Sequence, residues 1–241
     1  MALRISWLIV TVFTLVMNYL ATSLPLNGMS TKALSDGLST LITPAGFTFG
    51  IWSVIYIGII ILTGAIVWGK VKLSDKTMIA YIISALANGL RIVARHYQNL
   101  HLSMILMLVL LVSLIIMDRD MLSYRDRIAS YNRVRASILI YIGWVNIASL
   151  VMLMMYLQYQ LERLGGYEHT AALISIILAG CLNLLVICRE RVSFTALVAL
   201  RALYGIISGQ TDPQIILTAQ VMIGLLIAAV IWHEGRKLLK K

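Results

Sequence analysis

Thr77-Met78-Ile79-Ala80-Tyr81-Ile82-Ile83-Ser84-Ala85-Leu86-Ala87-Asn88-Gly89-Leu90-Arg91-Ile92-Val93-Ala94-Arg95 decides how the chain is read. As a helix rising ~1.5 Å per residue it covers about 28 Å, close to the ~30 Å of hydrocarbon in a bilayer. Its composition suits lipid until Arg91 and Arg95, which stand one helical turn apart at i and i+4. An arginine at mid-membrane costs roughly 2.5–3.5 kcal/mol even on the lenient insertion scale. A third arginine, Arg201, repeats the problem in the apolar stretch before Gly205. These three residues need a reason.

Working outward, the chain is 60% hydrophobic and 12% charged over 241 residues, with mean hydropathy +0.90. A soluble domain carries about 25% charged residues. Apolar runs recur from end to end and predict an all-α, polytopic transmembrane bundle of about eight spans. They run near 5–24, 47–68, 77–95, 102–117, 136–158, 170–188, 193–208 and 214–233. Pro25, Gly165-Gly166 and Asp212-Pro213 punctuate their ends. The fourth and seventh are short, which predicts little tilt or cover from neighbours. No Asp or Glu falls within any of these spans, so nothing acidic is expected to neutralise Arg91 or Arg201.

Eight spans place Arg4, Lys70, Lys72, Lys76, Arg119, Arg125, Arg127, Arg133, Arg135, Arg189, Arg191, Arg236, Lys237, Lys240 and Lys241 on one side, against Lys32 and Arg163 on the other. Positive connectors face the cytoplasm, so both termini are expected there. The formal charge of +10 is therefore read as topology signal. No aromatic-basic face suggests a nucleic-acid partner. The first span, with Arg4 before it and Ala21-Thr22-Ser23 after, also has the outline of a signal peptide; its length favours a retained helix. Phosphate-loop, zinc-protease and C-x-x-C patterns do not occur, and Cys181 and Cys188 are not at metal spacing. His96 and His101 are read as solvated interfacial residues, and Trp7, Trp68 and Trp232 as belt anchors. Asn88, Asn146 and Asn183 are read as interhelical hydrogen-bonding groups. No catalytic residue and no metal site emerge, so an enzyme is not expected.

Thr43-Pro44-Ala45-Gly46-Phe47-Thr48-Phe49-Gly50-Ile51-Trp52, followed by Val54-Ile55-Tyr56, opens the second span. It resembles the entry to the second helix of the TspO/MBR family, the translocator or tryptophan-rich sensory proteins. Asn18-Tyr19-Leu20-Ala21-Thr22-Ser23-Leu24-Pro25-Leu26-Asn27-Gly28 is similar to the end of the first span in longer bacterial members with extra C-terminal helices. Tyr141-Ile142-Gly143-Trp144 with Ala148-Ser149 matches a fifth-span motif. The resemblance implies a TspO-like five-helix bundle over residues 1–160. Residues 161–241 would add three transmembrane helices and a basic tail.

The third span departs from that pattern: where the relatives show Trp, this chain has Arg91, Arg95 and, in the seventh span, Arg201. Three readings stand side by side. Arg91 and Arg95 line one face and bind an anionic group, such as a propionate or a lipid head group. Alternatively Arg95 snorkels while the others pair with Asn or carbonyl oxygens. In the third, an arginine codon is translated as tryptophan in the source organism.

The resemblance implies a membrane-embedded binding or sensory protein holding a flat apolar ligand, a tetrapyrrole or sterol-like compound, in an aromatic pocket. Trp52, Trp144 and positions 91 and 95 would stack on or bind it, Asn88 and Tyr141 would orient it, and Pro44, Phe47 and Phe49 would form the rim. No cofactor is required; porphyrin or haem enters as ligand. The implied partners are the bilayer of a bacterial cell membrane, the small apolar ligand and, optionally, a second copy of the chain in a homodimer. A small secondary transporter is the alternative, since intramembrane charge often marks a path. It lacks a visible repeat, a mid-span carboxylate or a broken helix pair.

Overall fold

The structure, a computed structural model, describes residues 1–24, 26–29, 34, 37–123, 131–190 and 194–238. Among the described residues there are eight α-helices and no strand. They are α1 (Ala2–Ser23), α2 (Ile51–Val67), α3 (Asp75–His96), α4 (Leu100–Leu122), α5 (Tyr131–Met155), α6 (Glu168–Glu190), α7 (Phe194–Gly209) and α8 (Pro213–Leu238). A 3-10 turn, Gly46–Gly50, leads into α2, and a π-helical turn, Tyr156–Gln160, ends α5. Seven helices are long and apolar enough to cross a membrane. The eighth, α7, has 16 residues and reaches only about 24 Å. The protein is an integral membrane helical bundle. Pro25, Lys32, Arg125, Arg127, Arg191, Lys240 and Lys241, used above as punctuation and topology signals, lie outside the described residues.

The chain forms two compact units, Met1–Leu38 with Trp52–Val145, and Ser39–Ile51 with Asn146–Lys241. In the first, α3 forms a hairpin with α4 and packs along α1. Ser74 caps α3 by accepting the Thr77 N–H at 3.0 Å, and Asn99 caps α4 by accepting the Leu102 N–H at 2.9 Å. Gly89 of α3 faces Phe13 of α1: a Cβ there would lie 2.3 Å from the ring. Gly58 does the same for α2 and α5, where a Cβ would meet Ser137 Oγ at 2.6 Å. These absent side chains set how closely the helices approach.

The fourth span is longer than the sequence suggested. It continues through Asp118, Arg119 and Asp120 to Leu122, 23 residues or about 34 Å. The carboxylates can remain helical because both are satisfied. Asp118 takes a bidentate bond from Arg135 of α5, Nε to Oδ1 at 2.7 Å and Nη2 to Oδ2 at 2.9 Å. Both side chains are buried, Asp118 at 6% and Arg135 at 3% exposure. Asp120 accepts from Ser74 Oγ and, at 2.7 Å, from Thr77 Oγ1 at the start of α3, where the helix dipole favours a negative charge. The expectation that acidic residues stay out of the spans is therefore corrected. So is the reading of Arg135 as a connector charge.

Trp7 is not a belt anchor. It is fully buried, stacked on Tyr81 with ring centroids 3.7 Å apart, and its Nε1 donates to Thr63 Oγ1 at 2.9 Å. Tyr81 Oη shares a 2.8 Å hydrogen bond with Thr11 Oγ1, so α1, α2 and α3 meet in one satisfied polar knot. Trp68 and Trp232 are exposed, as belt residues would be, at 76% and 65%. His96 is also corrected: it is buried, with Nδ1 2.8 Å from its own helix's Ile92 carbonyl. His101 is exposed.

In the second unit α8 packs against α6 and α7. A Cβ on Gly180 of α6 would lie 2.1 Å from Met222 Cε of α8. Asp212 caps α8, its Oδ1 accepting the Gln214 and Ile215 N–H groups at 2.8 and 3.2 Å, with Pro213 in the first turn where it lacks no needed donor. Those N–H groups hold its carboxyl below the usual range, assisted by His169, whose Nε2 lies 3.1 Å away. Gly165 and Gly166 both adopt positive φ, +44° and +96°, and so make the predicted break before α6. An apolar void of about 10 Å³, near the size of one water, lies among Ile42, Ile147, Ile176, Ala179, Leu203 and Ile206.

Candidate functional site

Three helices of the first unit each present a pair of residues at helical spacing. From α2 come Trp52 and Tyr56, at i and i+4, with ring centroids 5.3 Å apart and planes at 21°. From α5 come Tyr141 and Trp144, both 3% exposed. Trp52 meets them edge-on, 5.8 Å from Tyr141 and 6.3 Å from Trp144, at interplanar angles of 69° and 79°. These distances fall within the favourable range for aromatic pairs, each worth about 0.5–1.5 kcal/mol beyond the area buried. Gly58, two residues past Tyr56, permits the close α2–α5 approach that brings the rings together.

From α3 come Asn88 and Arg91. Arg91 Nη2 donates to Asn88 Oδ1 at 3.3 Å, which aims the Asn88 amide nitrogen away from the arginine. Asn88 is fully buried and Arg91 partly so. The Tyr56 hydroxyl approaches the Asn88 amide, and the Arg91 charge acts on both Tyr56 and Tyr141. Even so, Tyr56 Oη, Asn88 Nδ2 and Arg91 Nε are all buried without a hydrogen-bond partner in sound geometry. Arg95 donates Nη2 to the Leu34 carbonyl at 3.0 Å, while its Nη1 has no partner. No carboxylate pairs with either arginine among the described residues.

Of the residues expected to form a site, Trp52, Tyr141 and Trp144 are therefore in ring contact, and Asn88 is bonded to Arg91. Pro44, Phe47 and Phe49 belong to the second unit, where their segment is fastened to α7. Ala45 N–H donates to the Gly205 carbonyl at 2.9 Å, and a Cβ on Gly205 would lie 2.1 Å from Thr48 Cγ2. Pro44 is buried, while Phe47 and Phe49 are exposed. Arg201 donates Nη2 to the Phe47 carbonyl at 2.6 Å and lies over the Phe47 ring, 5.6 Å from its centroid. It ties the 3-10 turn to α7 in this way.

Asn183 does not make the interhelical bond expected of it, whereas Asn88 faces the Tyr56 hydroxyl of α2. Asn183 Nδ2 donates within α6, to Ala179 O at 2.9 Å. Tyr56 was not among the expected site residues, although its i+4 spacing from Trp52 carried the signal.

The first unit thus carries an aromatic cluster edged by buried polar groups, inside an integral membrane helical bundle. A model of the family described as TSPO-like protein matches residues 4–232, and the chain belongs to that family. No curated protein and no solved structure matches it.

Proposed function

We propose that this TSPO-like membrane protein binds a flat apolar ligand, of the tetrapyrrole or sterol-like class, against Trp52, Tyr56, Tyr141 and Trp144, with porphyrin or haem as the first candidates. The observation that carries this reading is the convergence of Trp52 with Tyr141 and Trp144 from α2 and α5. A flat partner entering between α2 and α5 would stack on these rings. Apolar burial and stacking would supply most of the affinity, and Asn88 would orient the bound molecule. Its role is binding or sensing within the bacterial membrane, both termini cytoplasmic, with residues 1–160 as the ligand-holding bundle and 161–241 as an addition to it.

The test is titration of detergent-purified protein with protoporphyrin and with haem, followed by Trp quenching and Soret shift. Saturable micromolar binding that weakens about tenfold, or ~1.4 kcal/mol, in both Trp52→Phe and Trp144→Phe is the expected result. Non-saturable uptake, indifferent to both variants, would refute the pocket.

A further inference from the structure

The donors beside the aromatic cluster have a chemistry of their own. Arg91 Nε and Asn88 Nδ2 are buried donors without a partner in sound geometry, and the buried Tyr56 Oη beside the amide can donate or accept. Arg95 adds a like charge one turn away that acts on Arg91, and its Nη1 is a further donor without an acceptor. Among the described residues the protein oxygens bonded to these two guanidinium groups are neutral: the Asn88 amide and the Leu34 carbonyl. A buried set rich in donors, with two positive charges and, among the described residues, no carboxylate, calls for an anionic acceptor. Water could accept some of the hydrogen bonds but could not offset the charge.

We propose that the first unit holds an oxyanion, a carboxylate or phosphate carried on an apolar body, bound by Arg91 and Arg95 with Asn88 Nδ2 and Tyr56 Oη as its neutral donors. The planar guanidinium fork suits such a group better than an ammonium would, because two parallel N–H bonds can reach two oxygens. The Arg91–Asn88 bond holds the amide with its NH2 available. The proposal rests on the aromatic pocket described above and specifies what its ligand must carry. The site therefore selects an amphiphile: a flat body against the rings and a charged group at α3.

The test uses protein made in its native host, whose peptide masses first establish arginine at position 91. A mass showing tryptophan there overturns the proposal. The protein, in zwitterionic nanodiscs, is then titrated with protoporphyrin, which has two ionised carboxylates, and with its dimethyl ester, which has none. The wild type is expected to prefer the acid by about tenfold or more, the worth of a charge-assisted pair. In Arg91→Gln the preference should collapse to about equality while ester affinity is retained. Tyr56→Phe, which removes one hydroxyl and little volume, should cut the preference about threefold and covers the case in which Arg91→Gln fails to fold. Equal binding of acid and ester by the wild type, or an acid preference that survives in both variants, overturns the oxyanion site and leaves the aromatic pocket standing. Failure of both probes to bind overturns the pocket and the oxyanion site together. Nanodiscs doped with phosphatidylglycerol separate the two sources. Displacement of the acid assigns the site to a lipid phosphate, and undiminished binding assigns it to the carboxylate of a free ligand.

Discussion

Arg135 and Arg91 are arginines in apolar helices of the same compact unit, and the protein treats them in opposite ways. Arg135 is 3% exposed and meets Asp118 through two short bonds from a neighbouring helix. Among the described residues Arg91 reaches the amide oxygen of Asn88, at 3.3 Å on its own helix, and keeps a buried Nε without a partner. The first arginine is complete within the protein and joins α4 to α5. The second is incomplete, beside the only cluster in which two tryptophans among the described residues are in ring contact. A buried cation therefore does not declare its role by position or burial. What distinguishes a fastener from a binding group is whether the fold supplies the counter-charge.

The comparison breaks most visibly if the counter-charge is removed. Asp118→Ala leaves Arg135 buried and unpaired, which should cost about 3–5 kcal/mol and lower the melting temperature in detergent steeply. Arg91→Leu should change stability of the ligand-free protein by no more than about 1 kcal/mol, in either direction, because among the described residues it has no ion pair to lose. A loss as large as that of Asp118→Ala would mean Arg91 is structural after all. A milder contrast comes from Asp212, whose exposed carboxylate caps α8. Its pKa is lowered in the folded protein, so its stabilising contribution is present above the normal carboxylate range and lost as pH falls through the lowered value. Melting curves taken across acid pH should show a small loss in the wild type that Asp212→Asn reduces, since the amide oxygen still caps but does not titrate.

The helical membrane architecture was legible because lipid imposes one demand, long apolar runs, that composition displays directly. Asp212-Pro213 and Gly165-Gly166 were legible because capping and positive φ restrict residue type locally. The fourth helix was misread because Asp118 and Asp120 look like the end of a span until their partners on α3 and α5 are known. Trp7 misled for a related reason: near a helix end, an interfacial tryptophan and one buried on Tyr81 carry the same letter. The boundary of the two compact units falls inside the continuous helix α5, between Val145 and Asn146, where no punctuation marks it. Of the site, Trp52, Tyr141 and Trp144 were visible as motif residues. Their meeting depends on the close approach at Gly58, which no local pattern announces.

The most direct test of the ligand pocket is site mapping by the ligand itself. Protoporphyrin is added below stoichiometry, the sample is illuminated, and oxidised tryptophans are located by peptide mass spectrometry. Early modification of Trp52 and Trp144, with Trp68 and Trp232 spared although they are the exposed ones, is the expected result. Oxidation confined to Trp68 and Trp232 would place the porphyrin on the outer surface and contradict a pocket between α2 and α5.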